Sequence, residues 1–365
     1  MITLNEYNLI EKIQRNNTPS IIIEDFTPKT FFHANNDLSI NSKKDLFKFA
    51  SSMHDNSSLT NEKINLLGDI SSNNYDIIKS FVKDFILFEK IKLKKKTSFI
   101  NSVIDAMITV KSILKLFPLN NRAGGGVKIL DVGSGSGYVS ALLARCGYTV
   151  FAYEVAKPFF IFQSELFNFL FNKDFKVIKN LKNIGQFKKI NLIPWWIFCN
   201  YDKFKLKNID VVIINNAINE LEPRQILYIN RMIEKNKENE YHPTYLMING
   251  TGVNKYNNFN KLSAIGFVKI HEPQKKYDKI FLFKKKFNKN TNFLRENNIF
   301  AKLKYTIIYL IKKIIPNFLH VKRLKILSSN KQKEININLI QKLNKDLNVN
   351  LMDNSLINYL KFIYR

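Results

Sequence analysis

One segment of the sequence combines a buried strand, a glycine loop, the start of a helix and a second strand. It reads Val127-Lys-Ile-Leu-Asp-Val-Gly-Ser-Gly-Ser-Gly-Tyr138, and the second strand follows and ends at Glu154. The three glycines of the loop let the backbone turn sharply and let a ligand approach it closely. The helix that begins near Tyr138 offers N–H groups and the positive end of its dipole to an anionic group. This order of elements predicts an α/β fold with a ligand site at the glycine loop.

The chemistry of this loop and of Glu154 indicates which ligand fits. The loop suits a carboxylate, and a carboxylate at Glu154 can hold the two hydroxyls of a ribose. S-adenosylmethionine carries both groups, whereas a dinucleotide site needs a small residue where Tyr138 stands. The predicted cofactor-binding residues of this segment are Asp131, Gly133, Ser134, Gly135, Ser136, Gly137, Tyr138 and Glu154. A nucleotide-binding fold that has lost its ligand is the alternative.

The spacing Gly-x-Gly-x-Gly behind Asp131 resembles motif I of the class I S-adenosylmethionine-dependent methyltransferases. The resemblance implies a Rossmann-like, doubly wound, seven-stranded sheet with an antiparallel last strand. Strands are predicted at 128–132, 149–153, 190–193, 210–215, 245–249, 266–272 and 279–284, and helices at 138–145, 158–171 and 223–235.

Three regions are predicted along the chain. Residues 1–120 form a helical N-terminal region that could cap the substrate, with helices from about 72 and from 97 or 98 to 117. Residues 121–286 form the methyltransferase domain, and residues 287–365 form a basic helical tail. Apolar residues at helical spacing between 303 and 314, beside lysines, predict either contact with an anionic membrane or packing against the main domain.

The composition indicates in which compartment the protein works and which partners are unlikely. The apolar fraction of 45% can fill a large core, and two cysteines cannot build a disulfide framework or a four-thiolate zinc site. We expect a cytoplasmic protein, since no secretory signal and no apolar run of ~18 residues is visible. The net charge of +27 comes from scattered lysines without an arginine-rich stripe, which makes nucleic acid an unlikely partner.

Ligands of such folds lie beyond the carboxyl ends of the strands, so residues that follow each strand are further candidates. Pro194 and Trp195 follow the third strand, where the tryptophan either stacks on adenine or is simply buried. Asn215, Asn216, Asn219 and Glu220 follow the fourth strand, and His242 precedes the fifth. Of these candidates, Pro194, Trp195 and Asn215 are predicted to bind the cofactor. Glu220 and His242 are the candidate general bases. Asn216 and Asn219 either bind acceptor hydroxyls or cap the next helix.

The segment after the fourth strand also discriminates between methyl acceptors. It lacks the Asp/Asn-Pro-Pro-aromatic loop of base amine methylation, neither Cys146 nor Cys199 is placed as a cytosine nucleophile, and asparagines replace the aspartates of metal-dependent enzymes. These eliminations favour metal-free transfer to oxygen.

Three further segments carry a closer resemblance: Leu192-Ile-Pro-Trp-Trp-Ile197, Asn216-Ala-Ile-Asn-Glu-Leu221 and Leu246-Met-Ile-Asn-Gly250. Together they resemble the sugar O-methyltransferases of bacterial surface-glycan clusters. The resemblance implies a sugar or glycan acceptor. An RNA methyltransferase and a non-catalytic docking or scaffold protein with a vestigial cofactor pocket are the alternatives.

Overall fold

The structure is a computed structural model. It describes residues 1–26, 42, 44–46, 49, 71–94, 96–97, 99–119, 126–181, 186–200, 206, 209–215, 217–218, 221, 223–235, 245–249, 262, 267–271, 280–285 and 331–351. Its principal elements are α1 (Leu4–Asn16), α2 (Ser20–Phe26), α3 (Ser72–Phe88), a π-helix (Glu89–Leu93), α4 (Ile100–Leu116), β1 (Lys128–Val132), α5 (Tyr138–Arg145), β2 (Thr149–Glu154), α6 (Lys157–Phe171), a 3-10 turn (Asn172–Asp174), β3 (Phe175–Val177), β4 (Ile190–Pro194), α7 (Trp195–Phe198), β5 (Val211–Asn215), α8 (Pro223–Lys235), β6 (Tyr245–Asn249), β7 (Phe267–His271), β8 (Ile280–Lys285) and α9 (Lys331–Leu347).

The strands of the described residues form one sheet in the order β3-β4-β2-β1-β5-β6-β8-β7. The six strands from β3 to β6 in this order are parallel. The strand β8 lies between β6 and β7 and runs antiparallel to both. The predicted number of seven strands is wrong, because the sheet includes the additional edge strand β3. The three residues of β3 are too few to show a periodicity in the sequence.

The central strands are buried on both faces, as expected for a parallel sheet covered by helices. All five residues of β4 are buried, as are the last four of β1. The buried apolar residues form a core that reaches from Ile2 in the N-terminal region to Leu351 after α9. Helices from both predicted extensions therefore pack on the same core as the sheet.

The connectivity of the sheet predicts where a ligand binds. Strand β1 pairs with β2 on one side and with β5 on the other, so the direction in which the strands are added to the sheet reverses at β1. Open α/β sheets bind ligands in the crevice at such a switch point, outside the carboxyl ends of the strands. The segments that follow β1, β2, β4 and β5 meet there.

The N-terminal helices are fixed to the sheet domain by side chains. Ser71 caps α3, since its Oγ accepts the N–H of Asn74 at 3.3 Å. Phe81 and Phe85 of α3 then pack edge-on against Tyr138 of α5. Among the helices that the structure describes, none is both long enough and apolar enough to cross a bilayer. The amphipathic segment 303–314 lies outside the described residues.

Candidate functional site

The glycine loop is held by the end of β2. The Tyr153 carbonyl accepts the N–H groups of Gly133 at 3.0 Å and of Ser134 at 3.2 Å. The N–H of Gly137 donates to the carbonyl of Ser134 at 2.9 Å, which closes the turn before α5. The loop is therefore a fixed turn at the carboxyl edge of the sheet.

Each glycine of the loop has a positive φ, but the glycines differ in whether a Cβ would meet neighbouring atoms. A Cβ on Gly137, at φ 76°, would lie 2.6 Å from Cζ of Phe167, so this glycine is required by packing. A Cβ on Gly135, at φ 55°, would meet nothing within 4 Å. The backbone at Gly135 therefore faces open space, which a ligand can occupy.

Glu154 is the last residue of β2 and its side chain is only 4% exposed. One carboxylate oxygen accepts the N–H groups of Val155 and Ala156, both at 2.8 Å. The other accepts the N–H of Gly135 at 2.7 Å. A carboxylate has about four acceptor positions. Glu154 thus ties the glycine loop to the end of β2.

Gln163 of α6 is a member of the site that the sequence analysis missed. Its side chain is fully buried, and its Nε2 donates to the Gly135 carbonyl at 2.5 Å and to Ser134 Oγ at 2.9 Å. It therefore holds the loop from the side of α6. The sequence feature that could have indicated it is a single glutamine among the phenylalanines and leucines of this apolar helix.

Asp131 is fully buried in β1. Its Oδ2 accepts the hydroxyl of Ser140 at 2.7 Å, and its Oδ1 has no hydrogen-bond partner within the described part of the chain. Burial raises the pKa of Asp131 to about 6, against the opposing effect of the Ser140 hydrogen bond. Buried polar atoms are almost always paired, so this oxygen marks a place for a hydrogen-bond donor or a cation.

Tyr138 is a predicted cofactor-binding residue whose ring is buried away from the open space at Gly135 and packs against α3. The side chain is 1% exposed, and the ring packs edge-on against Phe81 at 5.7 Å and Phe85 at 5.4 Å. While the ring is buried in this way, Tyr138 can contact a ligand only through its backbone. The ring instead joins α5 to the N-terminal region.

Trp195 follows Pro194 and begins α7, and α1 covers it. Its Nε1 donates to Glu11 at 3.4 Å, and the guanidinium of Arg15 lies 5.6 Å from its ring centroid. The indole is fully buried, so it can stack on a ligand only after α1 has moved. Trp196 packs at right angles to it and donates to the carbonyl of Lys179 at 3.1 Å.

Two tyrosine hydroxyls near Glu154 are buried without a hydrogen-bond partner in the described residues, those of Tyr7 and Tyr153. Burial raises the pKa of both phenols well above the usual value, and the charge of Glu154 adds to this effect in each. The Tyr7 ring lies 5.0 Å from that of Trp196, which places α1 beside the ends of β2 and β4.

Asn215 stands at the carboxyl end of β5, across the switch point. Thr109 of α4, which is fully buried, donates to its Oδ1 at 3.4 Å. A Cβ on Gly133 would lie 2.8 Å from Cβ of Ala217. The segment that follows β5 therefore meets the glycine loop, and α4 positions the amide of Asn215 beside it.

The candidate catalytic residues Asn216, Glu220 and His242 lie outside the described residues, as does Asn219. Their roles stay predictions. Within the described residues, no group of three or more His, Cys, Asp or Glu side chains could hold a metal ion.

Comparison with known proteins gives weak likenesses. No family model matches the chain, and no curated protein matches it. Among solved structures, the pyocyanin biosynthetic protein PhzM has a TM-score of 0.34 and 10% identity over 51% of this chain, which corresponds to 58% of that one. Magnesium protoporphyrin IX methyltransferase (ChlM) from Synechocystis PCC 6803, with bound SAM, has a TM-score of 0.34 and 13% identity over 59% of this chain and 98% of its own.

The glycopeptide N-methyltransferase MtfA, complexed with sinefungin, has a TM-score of 0.33 and 11% identity over 49% of this chain and 85% of its own. Because these similarities are low, the function of the chain has to be argued from the geometry of its own site.

Proposed function

We propose that the protein is an S-adenosylmethionine-dependent methyltransferase that acts on the oxygen of a sugar hydroxyl, in a bacterial surface glycan or its precursor. The observation that carries the donor assignment is the pairing of Gly135 with Glu154. An open space in front of a glycine with positive φ adjoins a carboxylate at the end of the neighbouring strand.

S-adenosylmethionine, the proposed donor, has an amino acid end and a ribose. Residues of the glycine loop and of the ends of β1 and β2 suit both groups. The positive end of the α5 dipole favours a carboxylate in the open space beside Gly135, whose own N–H donates to Glu154. Glu154, at the carboxyl end of β2, stands where a carboxylate can bind ribose hydroxyls. The unpartnered Oδ1 of Asp131 offers a negative charge for an ammonium, directly or through a buried water molecule.

The donor supplies a methyl group on a positively charged sulfur, so the protein chiefly has to align the acceptor and exclude water. We assign Asn215 to the wall between donor and acceptor, since Thr109 fixes its amide at the switch point. A base must take the acceptor proton, and Glu220 and His242 are our candidates. The N-terminal region then serves as a cap, in keeping with the position of α1 over Trp195.

The choice of oxygen and of a sugar rests on the sequence of the segments that follow β4, β5 and β6. We place the reaction in the cytoplasm, without a metal ion, and propose that the tail beyond residue 287 contacts an anionic membrane.

The donor assignment is tested by two isosteric substitutions at one position. Asparagine and aspartate both tolerate the left-handed conformation of Gly135 better than other side chains do. Both fill the open space, so titration calorimetry with S-adenosylmethionine should show at least tenfold weaker binding for Gly135→Asn, a loss of roughly 1.4 kcal/mol or more. Gly135→Asp should bind still more weakly, because it sets a negative charge against the donor carboxylate.

Thermal unfolding serves as the control, and both variants should remain folded. Equal affinity of wild type and both variants would refute the loop assignment. Equal losses of affinity for Gly135→Asn and Gly135→Asp would support a donor site at Gly135, but would contradict the placement of the donor carboxylate there.

The acceptor is tested separately with labelled donor, nucleotide sugars, isolated surface glycan and total RNA. Methyl transfer to glycan or nucleotide sugar supports the proposal. Transfer to RNA alone would contradict the sugar assignment and keep the donor assignment.

A further inference from the structure

The outer face of α3 and of the π-helix carries aliphatic side chains between lysines. Leu87 is 47% exposed and Ile91 is 50% exposed, one turn apart on the same face. Around them lie exposed lysines at 83, 90, 92, 94 and 96. We call these seven residues the basic-apolar face.

The inner side of the same helix is fixed, so this face is presented on a rigid element. Phe85 packs against Tyr138, and Phe88 packs against Phe162 of α6 at 5.9 Å. Asp84 forms an ion pair with Arg145 of α5. The exposure of Leu87 and Ile91 is thus a consequence of how α3 is seated, since its apolar inner side chains are already buried.

A cavity of about 560 Å³ adjoins the basic-apolar face. Its lining includes the lysines at 90, 94 and 96 and the apolar side chains of Phe99, Val349 and Leu351. Lys94 ends the π-helix in a left-handed conformation, at φ 52°, and its N–H donates to the Glu89 carbonyl at 2.7 Å. Short π-helical segments of this kind occur frequently at functional sites.

Among the residues that the structure describes, neither Asp84 nor Glu89 neutralises this face. Asp84 is committed to Arg145. Glu89 lines the cavity, but its side chain is 4% exposed and accepts both the N–H and the hydroxyl of Thr97. Burial raises the pKa of Glu89 to about 7, so its negative charge is only partial at neutral pH. The net field of the face is positive.

We propose that the basic-apolar face docks on a lipid bilayer that contains anionic phospholipid. Leu87 and Ile91 enter the interface, and a lipid phosphate lies in the cavity among Lys90, Lys94 and Lys96. Lysines near an anionic bilayer are attracted to it, and aliphatic side chains add apolar burial. The surface does not depend on the donor site. The tail contributes Val349 and Leu351 to the lining of its cavity, and Lys96 donates to the carbonyl of Asn350 there.

The side chains favour a membrane over a nucleic acid as the partner. Single-stranded nucleic acids are bound by aromatic side chains and arginines that stack on bases. The basic-apolar face has lysines and aliphatic side chains instead. Exposed Leu87 and Ile91 offer nothing to a phosphate backbone, whereas they suit the acyl boundary of a bilayer.

The test is co-sedimentation of the full chain with vesicles of phosphatidylcholine, alone or with phosphatidylglycerol. Each lysine contributes on the order of fivefold to partitioning on an anionic surface. The triple variant Lys90→Gln, Lys94→Gln, Lys96→Gln should therefore bind the mixed vesicles roughly 100-fold more weakly. The pair Leu87→Gln, Ile91→Gln should lose at least roughly tenfold, because two aliphatic side chains no longer enter the interface.

The matched control removes three exposed lysines elsewhere, at 12, 173 and 188. It has the same net charge as the triple variant and should bind within roughly twofold of wild type, well inside the fivefold expected for one interfacial lysine. Circular dichroism verifies that all variants are folded. Equal weakening in control and triple variant would overturn the proposal. It would also be overturned if neutral vesicles bound as well as mixed ones, or if the triple variant lost affinity for total RNA and kept its affinity for vesicles.

Discussion

Asp131 provides a prediction that can be worked out in free energy. Its carboxyl group is fully buried, and Ser140 is its hydrogen-bond donor. Burial raises its pKa from 3.8 to about 6. The substitution Asp131→Asn keeps the shape of the side chain and the acceptor for Ser140, and removes the charge.

The sign follows from proton binding. Between pH 3.8 and about 6, the folded state holds the Asp131 proton more tightly than the unfolded state does. This proton contributes fully to stability below the unfolded-state pKa of 3.8. The contribution is lost as the pH rises through the folded-state pKa of about 6. A shift of about two pH units corresponds to about 3 kcal/mol. Between pH 4 and pH 7, the wild type should therefore lose about 2.4 kcal/mol relative to Asp131→Asn.

Urea unfolding at a series of pH values measures this difference. Glu89, whose pKa burial raises to about 7, titrates in the same direction in both proteins, so its effect cancels in the subtraction. Ser140→Ala is the companion variant. Without the Ser140 hydroxyl, which stabilises the ionised carboxylate, the pKa of Asp131 in the folded state should rise further. The fall in stability should then extend to higher pH than in the wild type. Parallel curves for wild type and Asp131→Asn would refute the reasoning.

Three further substitutions have defined outcomes. Gly137→Ala should lower the free energy of unfolding by about 3 kcal/mol, because the new Cβ meets Phe167 in a left-handed backbone; an unchanged urea midpoint would contradict the close packing. Gln163→Leu should weaken donor binding about tenfold in calorimetry, because the Gly135 carbonyl and Ser134 lose a buried donor worth about 1–3 kcal/mol. Tyr7→Phe should raise the free energy of unfolding by about 1 kcal/mol, because it removes a buried hydroxyl without a partner; a destabilised variant in the same urea assay would point to a partner for that hydroxyl.

The sequence predicted the elements that have a strong local signal. The bounds of α5 and α8 agree with the structure, and those of α6 differ by one residue. Glycines, a first-turn proline and long apolar periodicities mark these ends, and they act through residues adjacent in the chain. The edge strand β3 was missed because three residues carry no such pattern.

Contacts between segments that are distant in the sequence could not be predicted from it. Nothing local distinguishes Tyr7 and Glu11 from the residues of any amphipathic helix, yet both lie against the tryptophans that follow β4. Tyr138 was predicted to bind the cofactor because it follows the glycine loop and begins a helix, and this pattern does not say where its ring lies. The apolar face of α3, about 50 residues earlier, determines where that ring lies.

The packing of α1 on the segment after β4 gives the molecule a built-in optical probe. The chain has two tryptophans, and both belong to this one junction. We expect their emission to be that of indoles shielded from water, and a shift to longer wavelength would report the exposure of this junction, as when α1 departs. A stopped-flow trace recorded during donor addition would therefore time the opening of the N-terminal helix without any attached dye.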